Sequence, residues 1–202
     1  MAKKRNFFKR VLFFLLFIIL LPFLLISGLV KFIIKMHKYK KWQKEGETGR
    51  KLLLSSDITS IDIMEGYEFE EYLKSLFFYL GYAVEVTPKS RDYGADLILV
   101  KDSQKIIVQA KRYNKTVGSK AVSEAAGALK HYLANEAWVV TNGHFSDQAE
   151  TLAKENNIRL IDREELMELS RDVCEKLRID NQTGDVGFSQ AYGGQADSPY
   201  RI

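Results

Sequence analysis

The sequence predicts an α/β domain with a central mixed sheet of about five strands flanked by helices, preceded by an N-terminal transmembrane helix. Three observations support this prediction. An uncharged apolar run extends from Val11 to Val30. Two apolar stretches joined by a short polar turn at Asp102-Ser103-Gln104 are typical of an antiparallel hairpin. After this hairpin, helical and strand patterns alternate, which favours parallel strands with helices on both faces of the sheet.

The run from Val11 to Val30 is long enough to cross a membrane. At about 1.5 Å rise per residue, it spans a hydrocarbon core of roughly 30 Å. A cleaved signal peptide has a shorter apolar region and a small-residue cleavage site, which Ser27-Gly28 matches poorly. A buried core helix is the other alternative. A composition of mostly Leu, Phe, Ile and Val favours a membrane anchor within residues 1–44.

Basic residues flank both ends of the predicted span. Residues 1–50 hold 12 of the 30 basic residues and only 2 of the 26 acidic ones, so residues 51–202 have a net charge of −6. The slightly more basic C-terminal flank and the single thiol, Cys174, favour a single-pass protein of the inner or plasma membrane with a cytoplasmic C-terminal domain. Residues 31–44 fit either an interfacial segment on anionic headgroups or a solvated stop-transfer run.

Residues 45–64 predict a linker, because they are rich in Gly, Ser, Thr and charge with one apolar patch at Leu52–Leu54. The globular domain is expected over residues 65–177. The domain begins with a helix from Gly66 to Leu80, which has apolar residues at helical spacing and stops at Gly81. Residues 178–202 are rich in Gly, Ser and Gln and are expected to be disordered.

The remaining elements follow from the period of their apolar residues and from their capping residues. They are strands at residues 82–86, 97–100 and 106–111, a helix from a Ser119 cap to about Asn135, a strand at Ala137–Thr141, a helix after a Ser146 cap, a strand at Ile158–Ile161 and a helix at Arg163–Leu177.

The hairpin from Arg91 to Lys111 carries polar residues in otherwise apolar strands. Side chains alternate along a strand, so Gln109 and Lys111 point the same way, while Asp96 leads the apolar run of the first strand. Burying a carboxylate, an amide and an ammonium is costly unless they satisfy one another or hold a metal. The hairpin is therefore the candidate site. The ordinary alternatives are a carboxylate that caps a strand and a lysine that extends from a sheet edge.

Four short motifs follow the predicted elements in order. They are Phe69-Glu70, Asp92-Tyr93-Gly94-Ala95-Asp96, Gln109-Ala110-Lys111-Arg112-Tyr113 and Thr141-Asn142-Gly143-His144-Phe145. Together they resemble the Mrr-type restriction endonuclease domain of the PD-(D/E)xK nuclease superfamily, over about Glu65 to Glu168. The resemblance implies a restriction-endonuclease-like core. The chain is similar to the QxK branch, in which Gln109 stands where the commoner form has an acid.

The resemblance implies an endonuclease that uses Mg²⁺, with Mn²⁺ as an alternative ion. It implies restriction of foreign or modified DNA, and the predicted membrane span makes DNA processing at the membrane an equal alternative. The candidate partners are DNA, the membrane through the N-terminal helix, and a second copy of the chain. The residues given catalytic roles are Glu70, Asp96, Gln109 and Lys111, and those given metal contacts are Asp96, Glu70, Gln109 and the backbone carbonyl of Ala110.

Positive charge is concentrated around the hairpin, where residues 89–120 have a net charge of +5. We expect these residues to contact phosphates, and the neighbouring tyrosines either to stack on a base or to pack. The predicted DNA-binding residues are Lys89, Arg91, Arg112, Tyr113, Lys115 and Lys120.

Two other functions stay open. One is a catalytically silent nuclease fold that serves as a DNA-binding or scaffold module at the membrane. The acidic charge of residues 51–202 favours this alternative mildly, and the retained polar hairpin residues argue against it. The other is an RNA nuclease. Among other candidate groups, Asp92 is expected to shape its turn, and His131 and His144 are weaker candidates for a general base.

Overall fold

The computed structural model describes the backbone of residues 2–88, 93–113 and 115–183, and the side chains of residues 26–37, 40, 41, 43–88, 93–113 and 115–180. The chain divides into two compact units, Met1–Glu45 and Gly46–Ile202. Helix α1 (Ala2–Ser55) makes up the described backbone of the first unit, and its last turns belong to the second. Among the described residues, no helix is long and apolar enough to cross a membrane. Residues 11–25 of the predicted span lie outside the described side chains, so the span stays a prediction.

The described part of the second unit alternates helices and strands. The further helices are α2 (Ile58–Ile63), α3 (Gly66–Tyr79), α4 (Ser119–His131), α5 (Asp147–Asn156) and α6 (Arg163–Thr183), and the strands are β1 (Ala83–Val86), β2 (Leu97–Lys101), β3 (Gln104–Lys111), β4 (Glu136–Thr141) and β5 (Arg159–Ile161).

The strands form one five-stranded sheet in the order β1-β2-β3-β4-β5. Strands β1, β2 and β3 pair antiparallel, and β3, β4 and β5 pair parallel. The β2–β3 turn places Asp102 and Ser103 at φ 49° and 65°. Two consecutive residues with positive φ give a tight turn whose twist matches that of the strands. The predicted mixed sheet of about five strands is therefore confirmed.

Alternation along the strands produces two apolar cores, one on each face of the sheet. Val108 and its neighbours in the sheet pack with α3 and α6, whereas Ile107 packs with α4 and α5. The buried side of α4 consists of small residues, which lets the helix lie close to the sheet: Ala121, Val122, Ala125 and Ala128.

The predicted linker at residues 45–64 is wrong, because this segment is helical and contributes to the core. Leu53 on α1 and Ile61 on α2 are buried, and Leu53 has no exposed surface. Gly49 lies against Ser75 of α3 so closely that a Cβ would be 2.7 Å from the Ser75 Oγ atom. Because residues 45–64 contain many polar side chains, the sequence alone did not show that their apolar side chains pack with α3 in the core.

Several predicted helix ends also differ. Ser119 is the first residue of α4 and not its cap; the capping position is Gly118, without a side-chain hydrogen bond. Helix α6 continues to Thr183, beyond the predicted end at Leu177. The other predicted tail residues, 184–202, lie outside the described part of the chain. The predicted Ser146 cap is confirmed, since its side chain accepts from the Ala149 amide at 3.2 Å.

Candidate active site

The Asp96 carboxylate lies at the start of β2, beside β3. The Asp96 amide donates to the Val108 carbonyl at 2.8 Å, which holds this residue against the neighbouring strand. Its Oδ2 atom accepts hydrogen bonds from the Ala110 amide at 2.7 Å and from the Gln109 side-chain nitrogen. Charge-assisted bonds of this kind are strong and fix the orientation of a carboxylate. The structure thus brings two of the predicted site residues, Asp96 and Gln109, into direct contact.

The Gln109 side chain is buried on β3, with only 4% of its surface exposed. Its Nε2 atom donates to Asp96 and lies 3.5 Å from the Ala110 carbonyl oxygen. Within the described part of the chain, its Oε1 atom is buried and has no hydrogen-bond partner. Leaving a buried acceptor unsatisfied costs about 1–3 kcal/mol, so such atoms in a folded protein call for a ligand or another explanation. This carbonyl oxygen is of the type that binds hard cations.

Lys111, two residues after Gln109, forms an ion pair with Glu124 of α4. The Lys111 Nζ atom lies 2.9 Å from Glu124 Oε2, and the two side chains are 22% and 31% exposed. Glu124 Oε1 also lies 3.8 Å from the Nζ atom of Lys120, whose side chain is 90% exposed. Lys111 is therefore held on the α4 side of the sheet, the side that strand alternation gives to Gln109.

The role of Glu124 was not predicted from the sequence. One signal was present: Glu124 is the only acid in the Ala- and Gly-rich helix α4, which was expected to lie close to the sheet. A lone carboxylate on such a helix is a natural partner for a cation on the adjoining strand. Pairing it with Lys111 requires the tertiary structure, because nothing in the local sequence links the two positions.

The turn before Asp96 is packed against the same residue of α4. Tyr93 and Gly94 have φ values of 47° and 87°, in the left-handed region. A Cβ on Gly94 would lie 2.8 Å from the Glu124 carbonyl oxygen. Glycine is needed here both for its backbone conformation and for the close approach. The residues after it, Ala95 and Asp96, thereby have a fixed path into β2.

Replacing Gly94 by alanine is expected to destabilise the fold by about 2–4 kcal/mol, because left-handed strain adds to a backbone clash. Gly127 is the matched control, since it lies in α4 with open space around it. Gly127→Ala should stabilise the protein by about 0.5–1 kcal/mol through higher helix propensity. Urea unfolding of both variants measures the difference. Equal stabilities would contradict this account of the turn.

Glu70 lies on α3, which packs on the other face of the sheet from α4. It is half-buried and follows Phe69, which has no exposed surface. Strand alternation directs Gln109 and Lys111 toward the α4 face. The geometry therefore joins Asp96 to Gln109 and places Lys111 on the same face of the sheet as Gln109, while the role of Glu70 rests on the family resemblance.

A family model described as Mrr_cat, restriction endonuclease, matches residues 61–170, more than half of the chain. The chain belongs to this family. The match covers the range in which the sequence motifs resembled Mrr-type domains, about Glu65 to Glu168. The protein therefore carries a restriction-endonuclease-type nuclease domain, and such a domain is a nuclease hydrolase. No curated protein matches the chain.

Three solved structures are similar to the chain at low identity. AF1548, a protein of unknown function, is 16% identical with a TM-score of 0.43, and the match covers 48% of this chain and 58% of that one. The DNA modification-dependent restriction endonuclease AspBHI is 19% identical with a TM-score of 0.45, and the match covers 69% of this chain and 40% of that one. The MspJI restriction endonuclease, in complex with a 27-mer oligonucleotide, is 17% identical with a TM-score of 0.35, and the match covers 83% of this chain and 37% of that one. The chain thus spans less than two thirds of the length of each.

The predicted DNA-binding residues of this Mrr-type domain fall into two groups. Lys89 and Arg91 lie outside the described residues, as does Asp92. Of the others, Arg112 is half-buried, and three are exposed near the end of β3 and the start of α4: Tyr113, Lys115 and Lys120.

The two histidines considered as general bases lie in different places. His131, at the end of α4, stacks on Tyr93 with ring centroids 3.7 Å apart. His144 Nδ1 lies 3.5 Å from Glu164 Oε2, and both side chains are more than half exposed. Neither contact involves Asp96, Gln109 or Lys111. The packing of Tyr93 on His131 also shows that this tyrosine contributes to local structure.

The Asn142 motif after β4 anchors a polar network that was not predicted. The Asn142 side chain accepts from the Tyr113 amide and donates to Asp62 Oδ1, both at 2.9 Å. Arg163 binds both Asp62 carboxylate oxygens, at 2.7 and 2.9 Å, and the Asn142 carbonyl at 2.8 Å. The network joins α2, the end of β4 and the start of α6. It also fixes the chain that follows β3.

The Asp62 carboxyl has a lowered pKa because Arg163 donates hydrogen bonds to it, with smaller contributions from Asn142 and from the charge of Arg112. The same bonds raise the pKa of Arg163. A carboxyl group whose pKa is lower in the folded than in the unfolded protein stabilises the fold. This stabilisation is complete above the unfolded pKa of about 3.9, and it is lost as the pH falls through the folded pKa.

Asp62→Asn is expected to lower stability at pH 7 by about 1–2 kcal/mol, because the partly exposed pair includes two charge-assisted hydrogen bonds. The difference in stability between wild type and variant should become smaller below about pH 4. Thermal unfolding at pH 7 and pH 3 measures both effects. Asp172→Asn, at an exposed position on α6, is the control. A stability difference between wild type and Asp62→Asn that is the same at both pH values would show that the ion pair does not stabilise the fold.

Proposed function

We propose that the chain is a divalent-metal-dependent endonuclease that hydrolyses phosphodiester bonds in DNA. The family match supplies the nuclease domain. The contact between Asp96 and Gln109, with Lys111 two residues further along β3, is the observation that supports catalysis by this chain. A protein that used only the fold would gain nothing from burying these polar groups, since burial is unfavourable.

The residues present suit a Mg²⁺ ion, and Mn²⁺ accepts the same ligands. Mg²⁺ binds oxygen atoms and keeps several waters, so it needs few protein groups. Asp96 would supply a carboxylate, Gln109 its buried and unpartnered amide oxygen, and Ala110 its backbone carbonyl; Glu70 joins this set through the resemblance. Across the described residues there is no group of three or more His, Cys, Asp or Glu side chains that would hold a metal. The proposed set combines carboxylate with neutral oxygens, as expected for a QxK site.

A bound ion of this kind neutralises charge on the phosphate and lowers the pKa of the attacking water. The protein's own groups have separate tasks. The Ala110 amide and Gln109 hold the Asp96 carboxylate in one orientation. The Lys111 ammonium orients the attacking water or stabilises the charge that develops on the phosphate. Because Gln109 is neutral, we expect metal concentrations on the order of millimolar to be needed.

DNA is the proposed substrate because positive charge surrounds the site within an otherwise acidic domain. Lys115 and Lys120 are exposed near the end of β3 and the start of α4, where they are available to phosphates. Phosphate contacts give affinity without sequence information. The proposed binding is therefore weak and dependent on salt. Restriction of foreign DNA and DNA processing are both compatible with it.

We also propose that residues 11–30 anchor the nuclease in the inner or plasma membrane, with the domain in the cytoplasm. The uncharged run and its basic flanks support this placement. The chain should stay in the membrane fraction after an alkaline wash and be released by detergent. Release by the alkaline wash would contradict the anchor.

A homodimer is proposed as well. Analytical ultracentrifugation in detergent tests it, and a monomer at all protein concentrations would contradict it.

The proposed activity is tested with the full chain purified in detergent. Supercoiled plasmid should be nicked and linearised with Mg²⁺ or Mn²⁺ but not with EDTA. Equal cleavage in EDTA would contradict the metal requirement. A preference for RNA of matched length would change the substrate. DNA binding without any cleavage would favour the catalytically silent binding module.

A further inference from the structure

We propose that Glu124 is a positioning residue that holds Lys111 in its working place and keeps its ammonium away from the Asp96 carboxylate. This inference rests on the proposed function, because it assigns a task to Glu124 within the same site. Glu124 lies on α4, outside the four motifs that identify the family, and its contact with Lys111 is visible only in the folded structure.

The contact between Glu124 and Lys111 is short and partly withdrawn from solvent. The Nζ to Oε2 distance is 2.9 Å, and less than a third of each side chain is exposed. Ion pairs on the open surface are weakened by water and by side-chain freedom. The ion pair between Lys111 in the sheet and Glu124 on α4 is less exposed, so water and side-chain freedom weaken it less. It is therefore able to fix the direction of a long, flexible lysine.

Glu124 is also the residue of α4 that meets the turn before Asp96. Gly94 approaches the Glu124 backbone so closely that no Cβ fits between them. One helix residue thus contacts Lys111 through its side chain and the Asp96 turn through its main chain. The relative position of the lysine and the carboxylate is set from a single point on α4.

Without the Glu124 carboxylate, we expect Lys111 to turn toward the Asp96 carboxylate. Strand alternation places Lys111 on the same side of β3 as Gln109, about 6.6 Å further along the strand. Gln109 already contacts Asp96. A lysine released from Glu124 would pair with Asp96 and compete with a cation for its oxygens. Loss of Glu124 should therefore impair both the rate and the use of metal.

Plasmid cleavage by the full chain in detergent tests this inference. Glu124→Gln should lower kcat about 10- to 100-fold, as loss of a residue that orients a site group commonly does. It should raise the Mn²⁺ concentration for half-maximal activity several-fold, leave KM for DNA nearly unchanged, and shift Tm by less than about 2 °C. Glu124→Asp should recover part of the rate. Glu150→Gln, an exposed acid on α5, is the matched control and should behave as wild type.

A second measurement does not depend on cleavage. Acetylation of lysines, followed by mass spectrometry, should modify Lys111 several-fold faster in the double variant Glu124→Gln/Asp96→Asn, where neither carboxylate is left to pair with it, than in Asp96→Asn alone. Unchanged Lys111 labelling, or a Glu124→Gln enzyme that cleaves as fast as the control, would overturn the inference. A Glu124→Gln protein that loses activity only because it unfolds would also overturn it. If wild type does not cleave, the proposed function fails, while faster labelling of Lys111 would still support the pairing.

Discussion

Asp96→Asn should abolish DNA cleavage, with a loss on the order of 10³-fold or more, because removing the carboxylate ligand removes several kcal/mol of transition-state stabilisation. The substitution keeps the shape of the side chain. The asparagine oxygen still accepts the hydrogen bond that the Ala110 amide now donates at 2.7 Å, so the fold should persist. The loss should therefore be one of chemistry and not of structure.

Single-turnover cleavage and calorimetric Mn²⁺ binding measure the effect of Asp96→Asn directly. Metal binding should weaken strongly, while the Tm of the variant stays close to that of wild type. Asp172→Asn, the same change at an exposed position on α6, should leave both quantities unchanged. Cleavage by Asp96→Asn within tenfold of wild type would remove Asp96 from the site.

Lys111→Met should reduce cleavage about 10²- to 10³-fold, the usual cost of losing one group that stabilises developing charge. It should leave the metal ligands in place, so the Mn²⁺ concentration for half-maximal activity should change little. This pattern differs from that of Asp96→Asn, which affects metal binding itself. Methionine retains most of the apolar stem of the lysine, which limits any loss of packing.

Steady-state kinetics across a range of Mn²⁺ concentrations separate these two effects for Lys111→Met. Lys176→Met, at an exposed position on α6, is the control for loss of a positive charge. A variant with full activity would show that Lys111 serves only to pair with Glu124. A variant with a normal kcat that needs a higher Mn²⁺ concentration for half-maximal activity would place Lys111 among the groups that organise the metal site.

Much of the hairpin could be predicted because a strand repeats every two residues. That period placed Gln109 and Lys111 on one side of β3, and the apolar run after Asp96 predicted β2. The structure adds the direct contact between Asp96 and Gln109. The alternating pattern of the second half likewise predicted the parallel strands β3, β4 and β5.

The partners that connect distant parts of the chain could not be predicted from local patterns. Asp62 lies 80 residues from Asn142 and 101 residues from Arg163, and a segment of polar composition conceals it. Glu124 faces Lys111 only because α4 lies over β3. Leu53 and Ile61 lie in a segment rich in polar residues, and only packing against α3 shows that they belong to the core. In each case tertiary packing, and not propensity, decided the structure.

The most direct test of the proposed activity is the Mn²⁺-dependent cleavage of one plasmid by wild-type and Asp96→Asn protein, purified as full chains in the same detergent. We expect wild type to convert supercoiled DNA to nicked and linear forms, and the variant to leave it supercoiled over the same time. Cleavage at equal rates by both proteins would contradict a catalytic site at the β2–β3 hairpin.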